Sequence, residues 1–203
     1  IEIDEAAAAV ASSNVGIDIV VEDARTHMVA LASSGRMVDV VVGNPPYLSQ
    51  LSRETSRGRA SALGGGPYAD VAAEFLAASV RVVPPVGGRV GLVLPVSILA
   101  TRDVAPIRRE VESVAALEYC WWSDRPVFDA RVRTCILVMG TGSTTGRVRR
   151  SHRPGIEPLP PVRRPSTDGA AGVIDASNSW SWLITDVAGV VQGQAQLSTL
   201  DDK

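Results

Sequence analysis

The chain has 203 residues, a formal net charge of −2 at pH 7 and 45% hydrophobic residues. That length allows one complete domain and part of another, and the apolar fraction is enough for a full core. The near-neutral charge excludes a general polyanion binder, and no apolar run approaches the roughly 20 residues of a membrane-spanning helix.

Strands and helices are predicted to alternate along the first 140 residues. The predicted strands are 1–4, 16–25, 37–43, 89–99, 116–123 and 132–140, and the predicted helices are 5–13, 26–35, 68–83 and 103–114. Valine-rich runs such as 37–43 are typical of buried parallel strands. The alternation predicts an α/β fold, a Rossmann-like doubly wound sheet that is mostly parallel, with the last two strands as an antiparallel hairpin at its edge.

Two further features follow from the order of residues. Val71, Phe75, Ala78 and Val82 form one apolar stripe of the helix predicted at 68–83, and Pro106 fits the first turn of the helix at 103–114. Cys120 and Cys135 have no second cysteine or histidine at metal-ligand spacing, so we expect buried, inert thiols, no metal site and a reducing cytoplasm.

The composition changes after Gly140. Residues 146–165, "GRVRRSHRPGIEPLPPVRRP", are rich in arginine and proline. This segment is interpreted as a linker, or as a strand that leaves the domain and is followed by a linker. Residues 172–191 regain apolar character and contain two tryptophans, which is typical of the start of a second domain.

The stretch "VVVGNPPYLSQ" (41–51) ends a valine-rich strand with Asn44, Pro45, Pro46 and Tyr47. An exocyclic amine on an aromatic ring is a poor nucleophile because its lone pair is delocalised. Two acceptors that bind both N–H bonds can draw the nitrogen towards tetrahedral geometry. The Asn44 side-chain oxygen and the Pro45 carbonyl are such acceptors, and the two proline rings hold that carbonyl in place. A plain turn after a strand, with Tyr47 covering the core, is the alternative.

Acidic side chains stand at the ends of the strands before this corner. Glu2 and Asp4 end the first strand, and Asp23 ends the second. Ligands of open α/β sheets bind at the carboxyl ends of the strands. One carboxylate suits a ribose diol and the other suits the amino group of an adenine ring, so the pattern indicates an adenosyl cofactor.

With "NPPY" after a strand and "IEID" and "VEDAR" before it, the chain resembles S-adenosylmethionine-dependent amino-methyltransferases. The segment "YADVAAEFLAASVRVVPPVGGRVGLVLPVSIL" is similar to the helix and strand that follow in that family. The order of segments resembles the γ-type adenine-N6 DNA methyltransferases of restriction-modification systems. The resemblance covers roughly residues 1–140.

The resemblance implies roles for individual residues. The cofactor would be S-adenosylmethionine, held by Glu2 and Asp4 at the ribose, by Asp23 and Ala24 at the adenine, by Phe75 packed on the adenine, and by Asn44. The catalytic residues would be Asn44, Pro45, Pro46 and Tyr47, of which Tyr47 would stack on a flipped base.

Further substrate contacts are expected outside the corner. Phe128 would be a second aromatic against the flipped base, and Arg53, Arg57 and Arg59 would contact phosphates of DNA. The alternatives are that Phe75 and Phe128 are core residues and that the arginines lie on a solvated loop.

The resemblance also implies a domain organisation. The catalytic domain is predicted at 1–145, an Arg/Pro-rich linker at 146–171 and the start of a target-recognition domain at 172–203. The glycine-rich motif that holds the methionine end of the cofactor would precede "IEID", so this sequence is interpreted as a fragment that binds the cofactor weakly.

The expected partners are DNA and a restriction or defence-system subunit, with no membrane and no metal, in the cytoplasm at the nucleoid. Three alternatives stay open: methylation of a glutamine amide in a protein, methylation of an rRNA base, and a non-catalytic methyltransferase-like module of a defence complex. The apolar segment at 172–203 favours DNA.

Overall fold

The computed structural model describes residues 1–47, 71–123, 127, 132–143, 148–153 and 179–184. These form four α-helices and five strands: α1 Glu5–Val15, α2 Ala24–Ser33, β1 Val40–Gly43, α3 Val71–Arg81, β2 Arg89–Pro95, α4 Ala105–Val114, β3 Ala115–Ser123, β4 Thr134–Thr141 and β5 Arg149–Arg153. Short 3₁₀ turns lie at Val96–Leu99, Arg102–Val104 and Ser181–Leu183.

The five strands form one sheet in the order β1-β2-β4-β3-β5. The pairs β1–β2 and β3–β5 are parallel, and β4 runs antiparallel to both of its neighbours. The predicted fold class is therefore confirmed as a Rossmann-like α/β fold. The predicted antiparallel pair of 116–123 and 132–140 is β3 and β4, and β5 lies outside it as the last strand.

Local sequence explains where the helices begin and end. The Asp4 carboxylate accepts from Ala7 N at 2.8 Å and caps α1, which ends at Gly16 with φ of 68°. Asp23 caps α2 in the same way through Arg25 N. An aspartate at the N-cap satisfies a backbone N–H that has no partner within the helix, and a left-handed residue after a helix is usually glycine.

The core lies between α3, α4 and one face of the sheet. Leu76 of α3, Ile107 of α4, and Leu94 and Leu137 of the sheet are completely buried. Burial of α3 extends well beyond the predicted stripe, because Ala72, Ala73 and Ala77 are buried as well; within that stripe Phe75 is half-buried. Complete burial of each leucine contributes about 1.5–3 kcal/mol.

Both cysteines lie in this sheet, Cys120 on β3 and Cys135 on β4. Both are free and have no exposed surface, which confirms the prediction of buried thiols. Burial raises the pKa of Cys120 to about 12 and raises the pKa of Cys135 well above its usual value. At neutral pH both therefore stay protonated.

The prediction that 37–43 is a buried strand is wrong. The strand β1 spans Val40–Gly43 at the edge of the sheet, and Val40 and Val42 are 56% and 78% exposed. Only Val41 packs against the core. Alternate side chains of a strand point to opposite faces, and among the described residues only the Val41 face is covered.

The first two predicted strands are short in the structure. Residues 1–4 and 16–25 meet at a single parallel bridge between Glu2 and Val21, and α2 already begins at Ala24. Glu2 N donates to Val20 O and Glu22 N to Glu2 O, both at 3.0 Å. This bridge places the ends of the two segments side by side.

Strand β5 lies within the range predicted as a linker at 146–171. Residues 149–153 pair in parallel with Tyr119–Ser123 of β3, as in the interpretation of a strand that leaves the domain. Residues 179–184 lie in the range predicted to start a second domain, and Trp180 and Leu183 are buried in the main core. The rest of both ranges, 154–178 and 185–203, lies outside the described residues.

Candidate active site

The Asn-Pro-Pro-Tyr corner directly follows β1, at the carboxyl ends of the parallel strands β1 and β2. Gly43, the last residue of β1, is in register with Leu92 of the parallel strand β2. After it Asn44 is exposed, Pro45 is buried, Pro46 is exposed and Tyr47 is half-buried. The proline rings restrict φ at 45 and 46, so the corner is a rigid exit from the strand.

The Tyr47 hydroxyl lies between two oxygen atoms. It is 2.5 Å from Asn44 Oδ1 and 3.1 Å from the carbonyl oxygen of Val93. The ring packs against the main core. A hydroxyl has one proton to donate, so the two acceptors share it. Because Oδ1 has two lone pairs, it can accept from the hydroxyl and also from one N–H of a ligand.

The Glu2 side chain is held at the end of the first segment by the backbone N–H groups of the next two residues. Its Oε1 atom accepts from Ile3 N at 2.8 Å and from Asp4 N at 3.1 Å. Because both bonds go to Oε1, the Oε2 atom keeps its lone pairs for a hydroxyl ligand. The neighbouring Asp4 uses its Oδ1 atom to cap α1, so part of its side chain is already engaged.

Asp23, beyond the bridge from Glu2, is tied to Arg25. The guanidinium donates from Nη2 to Oδ2 at 2.8 Å and from Nε to Oδ1 at 3.2 Å. This side-chain hydrogen bond holds the pKa of Asp23 below its usual value, although burial opposes the shift. The same bond raises the pKa of Arg25, against the effect of burial. Both carboxylate oxygens are thus engaged, and a ligand amine would have to share one of them.

The contacts of Arg25 lead from Asp23 to helix α3. Its Nη1 atom is 4.0 Å from Oε2 of Glu74, which is itself buried. Phe75, the next residue, packs on a small cluster of Met28, Ala78 and Val82. Ala24 is the first residue of α2. The predicted residues Glu2, Asp23, Ala24 and Phe75 are therefore connected through the bridge, the ion pairs and the α2–α3 contact.

Four predicted substrate contacts lie outside the described residues, namely Phe128, Arg53, Arg57 and Arg59. Within the part of the chain that is described, we find no group of three or more His, Cys, Asp or Glu residues that could hold a metal ion. No helix of that part is long and apolar enough to cross a membrane.

A cavity of about 720 Å³ lies at the other end of the sheet. It is lined by residues that include Ala115 at the start of β3, Thr141 at the end of β4 and the Arg81–Glu110 ion pair. Ligands of open α/β sheets bind at the carboxyl ends of the parallel strands, and this cavity lies at their amino ends. We therefore place the candidate site at the Asn44 corner.

Two partners at the site were not predicted. Arg25 binds Asp23, and this contact was readable, because an aspartate directly before a helix commonly pairs with residues of the first turn. Val93 accepts from Tyr47 across 46 positions of sequence. No local pattern identifies such a pair, since it depends on the parallel register of β1 and β2.

The chain matches no protein-family model and no curated protein sequence. It is similar to several solved structures, two of which are described as restriction-modification proteins. Another is the DrdV–DNA complex, with a TM-score of 0.58 at 16% identity over 85% of this chain and 23% of that chain. A modification subunit of a putative type I restriction enzyme from Vibrio vulnificus YJ016 has a TM-score of 0.53 at 19% identity, over 66% of this chain and 29% of that chain.

A third similar structure is the type IIL restriction-modification enzyme MmeI in complex with DNA. Its TM-score is 0.52 at 14% identity, over 75% of this chain and 23% of that chain. The chain thus spans less than a third of the length of each of these proteins. At these identities the likeness concerns the fold, and the chain has the Rossmann-like α/β fold that these proteins contain.

Proposed function

We propose that the protein transfers a methyl group from S-adenosylmethionine to the N6 amino group of adenine in DNA, as part of a restriction-modification or phage-defence system. The observation that carries the proposal is the Asn44 corner. In it Asn44 and Pro45 directly follow the carboxyl end of β1, and the Tyr47 hydroxyl contacts the Asn44 side chain. The fold shared with restriction-modification proteins supports the same activity.

The corner suits an amine that must become nucleophilic. Asn44 Oδ1 has two lone pairs, so it accepts from the Tyr47 hydroxyl and still has room for one N–H of the target. The Pro45 carbonyl takes the other N–H. Bound S-adenosylmethionine supplies an electrophilic methyl carbon. As the new N–C bond forms, the methyl–sulfur bond would break, with its electron pair left on the sulfur of a neutral thioether. The target nitrogen becomes positive, and the two oxygens stabilise that charge until a proton leaves to water.

The residues around the first bridge fit an adenosyl group. Glu2 offers Oε2 to the ribose hydroxyls, and its fixed position limits the entropy lost on binding. Asp23 with Ala24 faces the adenine edge, and Phe75 packs on the adenine ring. The bond from Arg25 already occupies Asp23, so we expect its amine contact to be weaker than that of an unpaired carboxylate.

DNA is the proposed polymer substrate. The adenine would be flipped out of the duplex, with Tyr47 and Phe128 against its ring and Arg53, Arg57 and Arg59 on the flanking phosphates. The proposed setting is the bacterial cytoplasm, with a restriction or defence subunit as partner. Two of the similar structures are complexes with DNA, which supports this choice of polymer.

The test uses the full-length protein and DNA from a host that lacks the gene. Methyl transfer is followed with labelled S-adenosylmethionine, and the modified base is identified by mass spectrometry. We expect N6-methyladenine from the wild type and a loss of at least about 100-fold with Asn44→Ala, the range seen when one preorganised polar contact is removed. Cofactor binding, measured by calorimetry, should persist in the variant.

Asn14→Ala is the matched control, because Asn14 is an exposed asparagine on α1 and its replacement should leave transfer unchanged. Absence of methyl transfer to any DNA would refute the proposal. Methyl transfer only to a protein glutamine or only to rRNA would favour the alternative of a glutamine or an rRNA methyltransferase. Cofactor binding that is absent from the full-length protein would indicate a non-catalytic module.

A further inference from the structure

The segment that follows β2, Val96–Val104, borders the candidate site, and we call it the rim segment. Strand β2 ends at Pro95, two residues beyond the Val93 carbonyl that receives the Tyr47 hydroxyl. The rim segment consists of two 3₁₀ turns separated by Ala100 and Thr101. Such turns leave several carbonyl groups without a partner in regular secondary structure, and a buried carbonyl without a partner is costly.

Arg108 supplies partners to two of these carbonyls. Its Nη1 atom donates to Ile98 O at 2.7 Å and to Thr101 O at 3.0 Å. Arg108 lies on α4 and is only 1% exposed, whereas the neighbouring Arg109 is exposed. Burial lowers the pKa of Arg108, and the charge of Glu112 partly opposes this. A charged side chain buried in this way is rare unless its hydrogen bonds are made.

A second anchor comes from residues 179–184. Trp180 N donates to the carbonyl of Leu99 at 2.7 Å. Leu99 directly follows Ile98, whose carbonyl binds Arg108. The indole N–H of Trp180 donates to Glu112 Oε1 at 2.5 Å, on the same helix as Arg108. Trp180 is 2% exposed and Leu183 is completely buried. These four hydrogen bonds join the rim segment, α4 and residues 179–184.

We propose that Arg108 is a positioning residue that fixes the rim segment beside the Asn44 corner, with Trp180 as the second anchor of the same segment. The anchored segment keeps Val93 in the place where it receives the Tyr47 hydroxyl, so that Asn44 Oδ1 presents a constant direction to the target amine. For its catalytic consequence the inference rests on the proposed methyl transfer.

The first arm of the test needs no activity. Hydrogen exchange is measured on the full-length protein with Arg108→Met and with Arg109→Met as the matched control on the same helix. Loss of the two carbonyl bonds should increase exchange at the amides of Ala100, Thr101 and Val104 by about tenfold or more. Exchange in α1 serves as the internal reference. Equal exchange at those three amides in both variants would overturn the proposal.

The second arm measures methyl transfer. Arg108→Met should lower kcat by about tenfold or more while KM for S-adenosylmethionine stays within about twofold, because the anchor orients the target and does not touch the cofactor. Arg108→Lys keeps a charged donor on a shorter side chain and should recover part of kcat. Unchanged kcat in Arg108→Met would refute the positioning role.

Two results would require a second measurement, namely misfolding of Arg108→Met and a wild type that transfers no methyl group. Where Arg108→Met does not fold, Trp180→Phe removes the bond of the indole N–H to Glu112 together with the packing of the five-membered ring. It should raise exchange at residues 179–184 and at Leu99 by a few-fold, and unchanged exchange there would contradict the anchor. Where the wild type transfers no methyl group, the proposed function fails, and the exchange arm alone decides whether Arg108 anchors the rim segment.

Discussion

The first 43 residues and the region from Val71 to Thr141 use their apolar side chains in different ways. In the first region most large apolar side chains are exposed, including Ile3 at 68% and Val42 at 78%, and only Ala8 and Met28 are buried. In the second region the apolar side chains of β2 and β4 alternate into a closed core. Similar apolar composition thus gives burial only where helices cover the sheet face.

This difference affects the two halves of the candidate site. Asn44 and Tyr47 are joined to the packed region through Val93, so the target corner rests on a closed core. Glu2 and Asp23 belong to the open region and are held by hydrogen bonds near the surface. We therefore expect the target corner to resist perturbation better than the carboxylates proposed to bind the cofactor.

The largest expected contrast is in thiol reactivity. With a pKa of about 12, Cys120 has a thiolate fraction at pH 8 about a thousandfold below that of a free cysteine. Burial raises the pKa of Cys135 as well, so its thiolate is also scarce. Val42→Cys places a thiol in the open region at a 78% exposed position. Under native conditions a thiol reagent should label one group in Val42→Cys and none in the wild type.

Denatured protein is the control for that experiment, and it should show two thiols in the wild type and three in the variant. Fast native labelling of Cys120 or Cys135 would contradict the closed core of the second region.

The next largest expected contrast is in the free energy of unfolding. Leu94→Ala removes a completely buried side chain of β2 and should lower the free energy of unfolding by about 2–5 kcal/mol. Val42→Ala, in the open region, is the matched truncation and should change it by no more than about 0.5 kcal/mol. Urea titrations of both variants give the comparison. Similar losses for the two would show that the Val42 side chain is packed in solution.

The same contrast explains what the sequence could predict. All four helices and strands β2, β3 and β4 are predicted from the sequence, because their caps, proline and apolar periods are local signals. Strand β5, "RRSHR", carries no apolar signal, since its pairing with β3 uses backbone atoms. The burial of β1 was predicted wrongly because a valine run indicates a strand, whereas burial depends on what covers that strand.

The candidate site divides in a similar way. The corner of Asn44 to Tyr47 and its place at the end of a strand were readable, because prolines and strand ends are local. The bond of Tyr47 to Val93 was not, since it requires the register of β1 on β2. The roles assigned to the corner, to Glu2, Asp23 and Phe75, and to Phe128 and the three loop arginines, stay predictions.

A smaller change in the free energy of unfolding is expected at Tyr47, which lies between the two regions. Tyr47→Phe removes the hydroxyl that connects Asn44 to Val93, and one hydrogen bond contributes about 0.5–1.5 kcal/mol to the free energy of unfolding. Tyr119→Phe on β3 is the matched control, since the described residues include no partner for its hydroxyl. Equal unfolding free energies for the two variants would mean that the Tyr47 bond does not connect the regions.

The smallest effect concerns Asp23 in the open region, and it depends on pH. The bond from Arg25 lowers the pKa of Asp23 in the folded state, so the folded protein binds fewer protons there than the unfolded chain. The stabilisation is therefore complete above the unfolded pKa of about 4 and is lost as the pH falls through the lower folded value.

Asp23→Asn keeps an N-cap of similar strength and removes only the charge. We expect it to lower the free energy of unfolding by no more than about 1 kcal/mol at pH 7, the range of exposed ion pairs, and to have no effect near pH 2. Urea titrations at both pH values measure this difference. A loss of the same size at both pH values would mean that the ion pair of Asp23 with Arg25 contributes nothing to stability.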